Sequence, residues 1–328
     1  MRAAWYERQG PATDVLQVGE LPPLPEPAAG EVRVRLQFSG VNPGDVKKRQ
    51  GWLGSTMPYP HVVPHSDGAG VIDAIGLDVD KNRIGQRVWV YGAQSYRPGG
   101  TAAEATVVPE ALAVDLPGTV SAELGATLGI PGITAHRAVF ADGPVAGQTV
   151  LVHGLHDAVG SLAAQLAHQG GATVIGTVRR GVEVATVLGD VVSHLVALDG
   201  SDPVARIRHL APDGVDRIIE VALSANADFD AEVVAQGAVI AAYSSPADRP
   251  VLPFWPLLFA NVSLRLLGSD DFPTEAKRQA ARDITAAAAN GQLQVTVAPP
   301  YPLDDIATAH QAVESGSRKG RILVSIGG

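Results

Sequence analysis

The segment His153-Gly154-Leu155-His156-Asp157-Ala158-Val159-Gly160 lies between a continuous apolar run and a stretch of helical periodicity. A strand-to-helix turn of this kind can bind phosphate. Its glycines let the backbone come close, and the helix N-terminus offers free N–H groups and a positive dipole. Gly154 and Gly160 fill two of the expected positions, but Asp157 stands where a third glycine would be expected. A glycine pair at such a turn also serves packing alone, so the spacing leaves both readings open. Asp157 has two readings as well. It can cap the helix, a position that favours Asp, or it can point at a pyrophosphate. Two like charges about 4 Å apart repel by around 4 kcal/mol at an effective dielectric near 20.

A dinucleotide site for NAD usually carries an acid about 20 residues after the first glycine, to hold the ribose hydroxyls. Here the chain reads Gly176-Thr177-Val178-Arg179-Arg180, and the next acid is Glu183. Two guanidiniums and the Thr177 hydroxyl suit a 2′-phosphate, so NADPH is expected over NADH. A solvated helix start is the alternative for the two arginines. His61 and His65 lie four apart beside Asp67, which invites a metal reading. The segment is flanked by proline and does not read as helical, so the ligand geometry is poor and no metal is expected.

The elements that must position these residues follow from composition and periodicity. The chain has 328 residues, 46% hydrophobic and 18% charged, a length that favours two domains. With no cysteine, disulfides, thiolate catalysis, cysteine-bearing zinc sites and iron–sulfur clusters are excluded. The formal charge of −9 argues against broad binding to nucleic acid or anionic membranes. Met1–Gly10 has no apolar core of signal-peptide length. Val251–Leu258 is broken by Pro253 and Pro256 and is too short to span a bilayer. A soluble, cytoplasmic protein is the expectation.

Glu31–Phe38 alternates polar and apolar residues, as a half-buried strand does. Short runs at Gly70–Ile75, Arg87–Tyr91 and Ala102–Val108 are separated by turn residues, which suggests a small barrel or sandwich. Leu21–Pro27 reads as a rigid surface connection. From Gly147 strands and helices alternate. Strands are expected at Thr149–His153, Ala172–Val178, His194–Leu198, Val215–Val221, Ala238–Tyr243 and Ser263–Leu267. Helices are expected at Ala158–His168, Pro203–Leu210, Asp228–Ala235 and Thr274–Asn290, with a last strand at Arg321–Ile326. This rhythm is the sequence form of an α/β doubly wound parallel sheet.

Five segments together resemble the medium-chain dehydrogenase/reductase superfamily, and within it the quinone oxidoreductases related to zeta-crystallin. They are Gly40–Asp45 (GVNPGD), Pro64–Gly76 (PHSDGAGVIDAIG), Gly129–Ala138 (GIPGITAHRA), Val150–Gly154 (VLVHG) and Tyr301–His310 (YPLDDIATAH). The resemblance spans nearly the whole chain. It implies a GroES-like β-barrel catalytic domain over residues 1–122 and a Rossmann domain over 123–262. Residues 263–328 would then complete the Rossmann sheet edge and return to the first domain. Zinc-binding members ligate metal with Cys and His. Here there is no Cys, and Ser66 replaces the motif histidine, so the zinc-free branch is implied.

The resemblance also implies cofactor contacts at Thr134, Asn226, Tyr243, Ser244, Ser245, Ser269 and Asp270. Each alone could be ordinary turn chemistry. Hydride transfer to a quinone or activated alkene leaves negative charge on a carbonyl oxygen, and the protein must place a donor there. Asn42 is the first candidate. Asp45 either takes part or holds the loop through an Asx-type turn. Lys47 replaces an aromatic residue of the relatives and either stabilises an anion or belongs to a solvated basic face. Trp52, Leu53, Phe254 and Trp255 could restore an apolar wall, although such residues also build cores. The expected protein is a homodimeric, NADPH-dependent quinone reductase. An enoyl or 2-alkenal reductase, or a non-catalytic NADPH-binding protein that could also bind RNA, are the alternatives.

Overall fold

The computed structural model describes residues 1–180, 189–317 and 319–327. Glu183 lies outside the described residues. Two compact units divide the chain: Met1–Ile130 with Ala281–Gly328, and Pro131–Ala280.

The first unit is built on a seven-stranded sheet. In spatial order it runs Tyr301–Pro302, Leu323–Ser325, Glu31–Gly40, Asp67–Ile75, Arg87–Val90 and Ala113–Asp115, with Ala105–Pro109 pairing Glu31–Gly40 off this path. All pairings are antiparallel except that of the two strands nearest the C-terminus. Val32, Val34 and Leu36 alternate into one core with Ile72, Val88 and Val90, as the period of two in Glu31–Phe38 requires. Pro43–Gln50 forms a helix that the sequence reading did not single out. Pro43 opens it, and Gly51 closes it in a left-handed conformation at φ 71°, the expected proline and glycine positions for a short helix.

The second unit holds a six-stranded, all-parallel sheet. Its spatial order is His194–Ala197, Thr173–Val178, Thr149–Val152, Val215–Glu220, Val234–Ala242, Ser263–Leu266. The chain thus winds outward from the centre in both directions, and the order reverses between Thr149–Val152 and Val215–Glu220. Val150, Leu151, Val152, Ile218 and Ile219 are fully buried, the composition that a strand covered on both faces needs.

Boundaries shift where local signals mislead. The helix expected at Asp228–Ala235 covers Leu223–Val233 instead, and residues 234–242 already belong to the next strand. Its N-cap is Ala222 and makes no side-chain capping bond, so no cap residue advertises the start. The strand expected at Ala102–Val108 is Ala105–Pro109. Ile130–Phe140 is a helix, and Leu21–Pro27 has no regular structure. Among the described residues no helix is long and apolar enough to cross a membrane.

Candidate functional site

The parallel sheet presents the expected turn at the carboxyl end of Thr149–Val152, beside the point where strand order reverses. Ligands of such sheets bind there. Gly154 sits at φ 71°, and a side chain at Gly160 would collide with the Gly154 carbonyl. Both glycines are therefore demanded by backbone geometry, and the helix Ala158–Gln169 starts at the turn. Leu155 turns its side chain into the core against Gly176, so its contribution to a ligand is limited to the backbone. His156 is exposed, and Ala158 and Val159 are half-buried at the helix start.

Asp157 occupies the N-cap position, but its side chain makes no capping hydrogen bond. A Cβ on Gly154 would lie 2.5 Å from Asp157 Oδ2, so the carboxylate folds over the glycine turn. Asp157 thus caps the helix through its backbone carbonyl, which accepts from Ser161 N, and not through its side chain. The residue borders solvent, yet the protein packed behind the carboxyl raises its pKa, with Arg179 and His156 pulling it down.

Beneath the turn lies a buried cluster that the sequence reading missed. His153 Nδ1 meets Thr177 Oγ1 at 2.8 Å, and Nε2 meets Asp230 Oδ1 at 3.0 Å. Glu220 Oε2 lies 3.6 Å from the same Nε2. Burial opposes charge on His153, but the Asp230 hydrogen bond and the charges of Asp230 and Glu220 outweigh it and raise its pKa. Burial and the Asp230 charge push Glu220 upward as well. The Thr177 hydroxyl is therefore committed to the interior and is withdrawn from the expected 2′-phosphate contact, because strand alternation points it inward. Asn226 donates to both Glu220 oxygens at 3.1 Å, which also commits its carboxamide. The signal for this cluster was present as one acid ending the otherwise apolar run Ile218-Ile219-Glu220.

At the end of Val234–Ala242, the Tyr243 hydroxyl is buried with no hydrogen-bond partner. Burial first, then the charges of Asp157 and Glu220, raise its pKa well above the usual value. An orphaned donor facing two acids at the ligand-binding edge of the sheet is a ready contact for a bound molecule. The Ser244 carbonyl accepts from Leu223 N, and the Ser245 hydroxyl donates to the Ala247 carbonyl. Ser269 and Asp270 open a short 3₁₀ turn, and Lys277 Nζ donates to the Asp270 carbonyl. Thr134 is buried in the helix Ile130–Phe140. Arg179 and Arg180 are exposed just beyond Thr173–Val178.

In the first unit Asn42 is buried and both ends of its carboxamide are engaged. Nδ2 donates to Asp67 Oδ2 at 2.7 Å, and Arg321 Nη2 donates to Oδ1 at 2.9 Å. Asp45 Oδ2 accepts from the Asn42 backbone N–H at 2.8 Å, which holds the helix start. Burial pushes the Asp45 carboxyl up to about 7 against the pull of Lys48. Lys47 is half-buried with its Nζ 4.1 Å from the centre of the Trp52 ring. Its ammonium thus forms a cation–π contact with a partly exposed ring. Phe254 and Trp255 lie exposed on the helix Phe254–Phe259 of the second unit.

A catalytic zinc takes three protein donors and keeps one position open. His61 pairs with Glu7 and stacks on Trp5, while His65 faces His310. The two histidines thus diverge, and no cysteine is available. Among the described residues one three-residue group, His153, Glu220 and Asp230, brings donor atoms within 4.8 Å of one another. Thr177 holds His153 and Asn226 holds Glu220, while one Asp230 oxygen is buried with no hydrogen-bond partner; all three residues lie within the core, with no position open to a substrate. These residues do not fit an open catalytic metal site.

Comparison with known proteins now has a geometry to meet. Residues 28–118 match the alcohol dehydrogenase GroES-like domain, and residues 192–324 match the zinc-binding dehydrogenase family. The chain is 28% identical to the quinone oxidoreductase of Mus musculus, over 96% of this chain and 94% of that protein. An NAD-dependent alcohol dehydrogenase of known structure shares 26% identity with a TM-score of 0.89, covering 100% of both chains. A mycobacterial protein solved with NADPH shares 26% with a TM-score of 0.83, covering 99% of each. The chain belongs to the medium-chain dehydrogenase/reductase superfamily and is an oxidoreductase built from a GroES-like unit and a Rossmann unit.

Proposed function

We propose that the protein is a zinc-free reductase that uses NADPH to reduce a quinone. The observation that carries this reading is the turn at Gly154, whose left-handed backbone and close approach to Gly160 leave a glycine-lined cradle at the helix N-terminus, bordered by the Asp157 carboxylate. Gly154, Gly160 and the backbone N–H groups at the start of Ala158–Gln169 would hold the diphosphate. The Tyr243 hydroxyl would donate to a ribose or phosphate oxygen, and Arg179 and Arg180 would pair with the 2′-phosphate. The bound cofactor supplies a hydride. Reduction to the hydroquinone then takes one hydride and one proton. A carboxamide nitrogen carries two N–H groups. Asn42 gives one to Asp67 and would offer the other to the acceptor's carbonyl oxygen, stabilising its developing charge.

The quinone assignment draws on the mouse relative's activity, and the zinc-free assignment on the donor set above. A 2-alkenal reductase is the second reading. It is favoured by one observation: Asp45 titrates near neutrality beside Asn42, as a proton source for a substrate carbon must. Among the described residues the outer strand Ser263–Leu266 pairs on one side only. Leu266 is 70% exposed, and Phe254 and Trp255 are 62% and 64% exposed. This apolar sheet edge supports pairing with a second copy as a homodimer.

NADPH oxidation against a panel of quinones and a panel of 2-alkenals separates the two readings, and fluorescence titration compares NADPH with NADH. Replacing Arg179 and Arg180 together is expected to weaken NADPH more than NADH. Equal losses would remove the 2′-phosphate assignment. Binding without turnover on either panel would leave a non-catalytic nucleotide-binding protein.

A further inference from the structure

His65 holds a backbone conformation that side chains avoid, φ 76°, in a fully buried position. Left-handed backbone is strained for a residue with a Cβ, and glycine carries no such strain. The imidazole kept there is tied at both nitrogens. Its ring stacks on His310 with centroids 5.1 Å apart. Nε2 meets His310 Nε2 at 2.9 Å, and Nδ1 meets Ser39 Oγ at 2.7 Å.

The donors and acceptors admit one direction along this chain. Arg49 Nε can only donate, and it donates to His310 Nδ1 at 3.4 Å. The proton of neutral His310 is then on Nε2 and is given to His65 Nε2. The proton of His65 is consequently on Nδ1 and is given to Ser39 Oγ. Ser39 donates to Thr101 Oγ1 at 2.7 Å, and Thr101 donates to the Asp67 carbonyl at 2.6 Å. Burial keeps both imidazoles neutral, with His65 pushed down to about 3. Arg49 is anchored at the far end by Glu314 and the Gly10 carbonyl. At the near end Asp67 accepts from Ile130 N at 2.8 Å and from Asn42 Nδ2.

We infer that His65 is a positioning residue: its Nδ1–H, acting through Ser39 and Thr101, sets Asp67, and Asp67 sets the Asn42 carboxamide. A fixed donor is what stabilises charge during reaction without reorganisation. The inference rests on the role proposed above for Asn42.

Two substitutions separate positioning from packing. Asn tolerates left-handed backbone, and its Nδ2 stands where the histidine Nδ1 does, so His65→Asn keeps the donor to Ser39 and loses His310. His65→Gly fits the backbone and loses both. Steady-state turnover and the NADPH dissociation constant are measured for both variants and for Asn42→Ala. His65→Gly is expected to lower kcat by up to about 100-fold with NADPH affinity unchanged, and His65→Asn to restore most of it. Equal loss in the two His65 variants, or none in His65→Gly, overturns the inference. A slow Asn42→Ala with a normal His65→Gly sinks the positioning role alone, whereas a normal Asn42→Ala sinks the Asn42 assignment and the inference with it. Imidazole ¹⁵N spectra read the chain without turnover. His65 must be the Nδ1–H tautomer at neutral pH, and a finding of Nε2–H or imidazolium refutes the direction on which the inference depends.

Discussion

His153 and His65 are equally hidden from water, yet one is held toward the charged form and the other is kept neutral. Beneath the Rossmann turn, Asp230 and Glu220 surround His153 and overcome the cost of burial. In the GroES-like unit the ring nitrogens of His65 meet Ser39 and His310, neither of them an acid, and burial pushes its pKa down. Partner chemistry, and not depth, sets the charge of a buried imidazole. The two clusters suit different tasks. An ionic cluster stiffens the floor of a ligand-binding edge, whereas a neutral chain fixes hydrogen-bond direction without storing charge.

The largest test of this contrast is His153→Ala. It leaves Asp230 and Glu220 buried without the imidazole that pairs with them, at an expected cost of about 3–5 kcal/mol in urea unfolding at pH 7. His310→Ala removes the hydrogen bonds of an uncharged ring, from Arg49 and to His65, and should cost about 1–3 kcal/mol. Equal losses would erase the distinction between the clusters.

Next in size is the pH dependence. The folded pKa of His65 is depressed from 6.5 to about 3, so its stabilisation is present above 6.5 and is lost as pH falls toward 3. His153 is raised, so its share is present below 6.5 and is lost as pH climbs through the folded value. Unfolding midpoints between pH 4 and 8 should show a shallower acid-side slope for His65→Asn than for the wild type. An unchanged slope would mean that His65 does not resist protonation.

Asp45 offers a smaller, opposite check within the GroES-like unit. Its carboxyl is raised from 3.8 to about 7, so the wild type loses stability as pH rises across that window. Asp45→Asn should raise Tm relative to wild type at pH 8, and the advantage should shrink at pH 5. A gain independent of pH would assign the effect to packing. The smallest expected change is in Asp157→Gly, which removes a partly exposed charge folded over Gly154. NADPH should bind more tightly by up to about tenfold, or 1.4 kcal/mol. An unaltered dissociation constant would mean that the carboxylate swings clear of the phosphates.

Much of this was legible in the residues. The continuous apolar run at Thr149–Val152 and the glycines at 154 and 160 located the parallel sheet and its turn, because strand burial and backbone clearance leave local marks. The extra helix at Pro43–Gln50 carried its own proline and glycine punctuation, which the reading passed over. Other features left no such mark. Thr177 looked like a 2′-phosphate contact until strand alternation turned it toward His153. Asp157 holds the cap position, but nothing local showed that its side chain lies back over Gly154. The pairing of His65 with His310 joins residues 245 positions apart, and no periodicity reports that.

By itself, the order of amino acids determined the α/β class, the two kinds of sheet, the absence of thiol chemistry and the location of the glycine turn. Each of these follows from local propensity, burial pattern or the simple presence of a residue type. The tertiary structure alone decided which imidazole carries charge, which way the hydrogen bonds run from Arg49 to Asp67, and where the Asn42 carboxamide is held. Those properties depend on distances of about 3 Å between groups far apart in the chain, and electrostatics and hydrogen bonding are set by such distances.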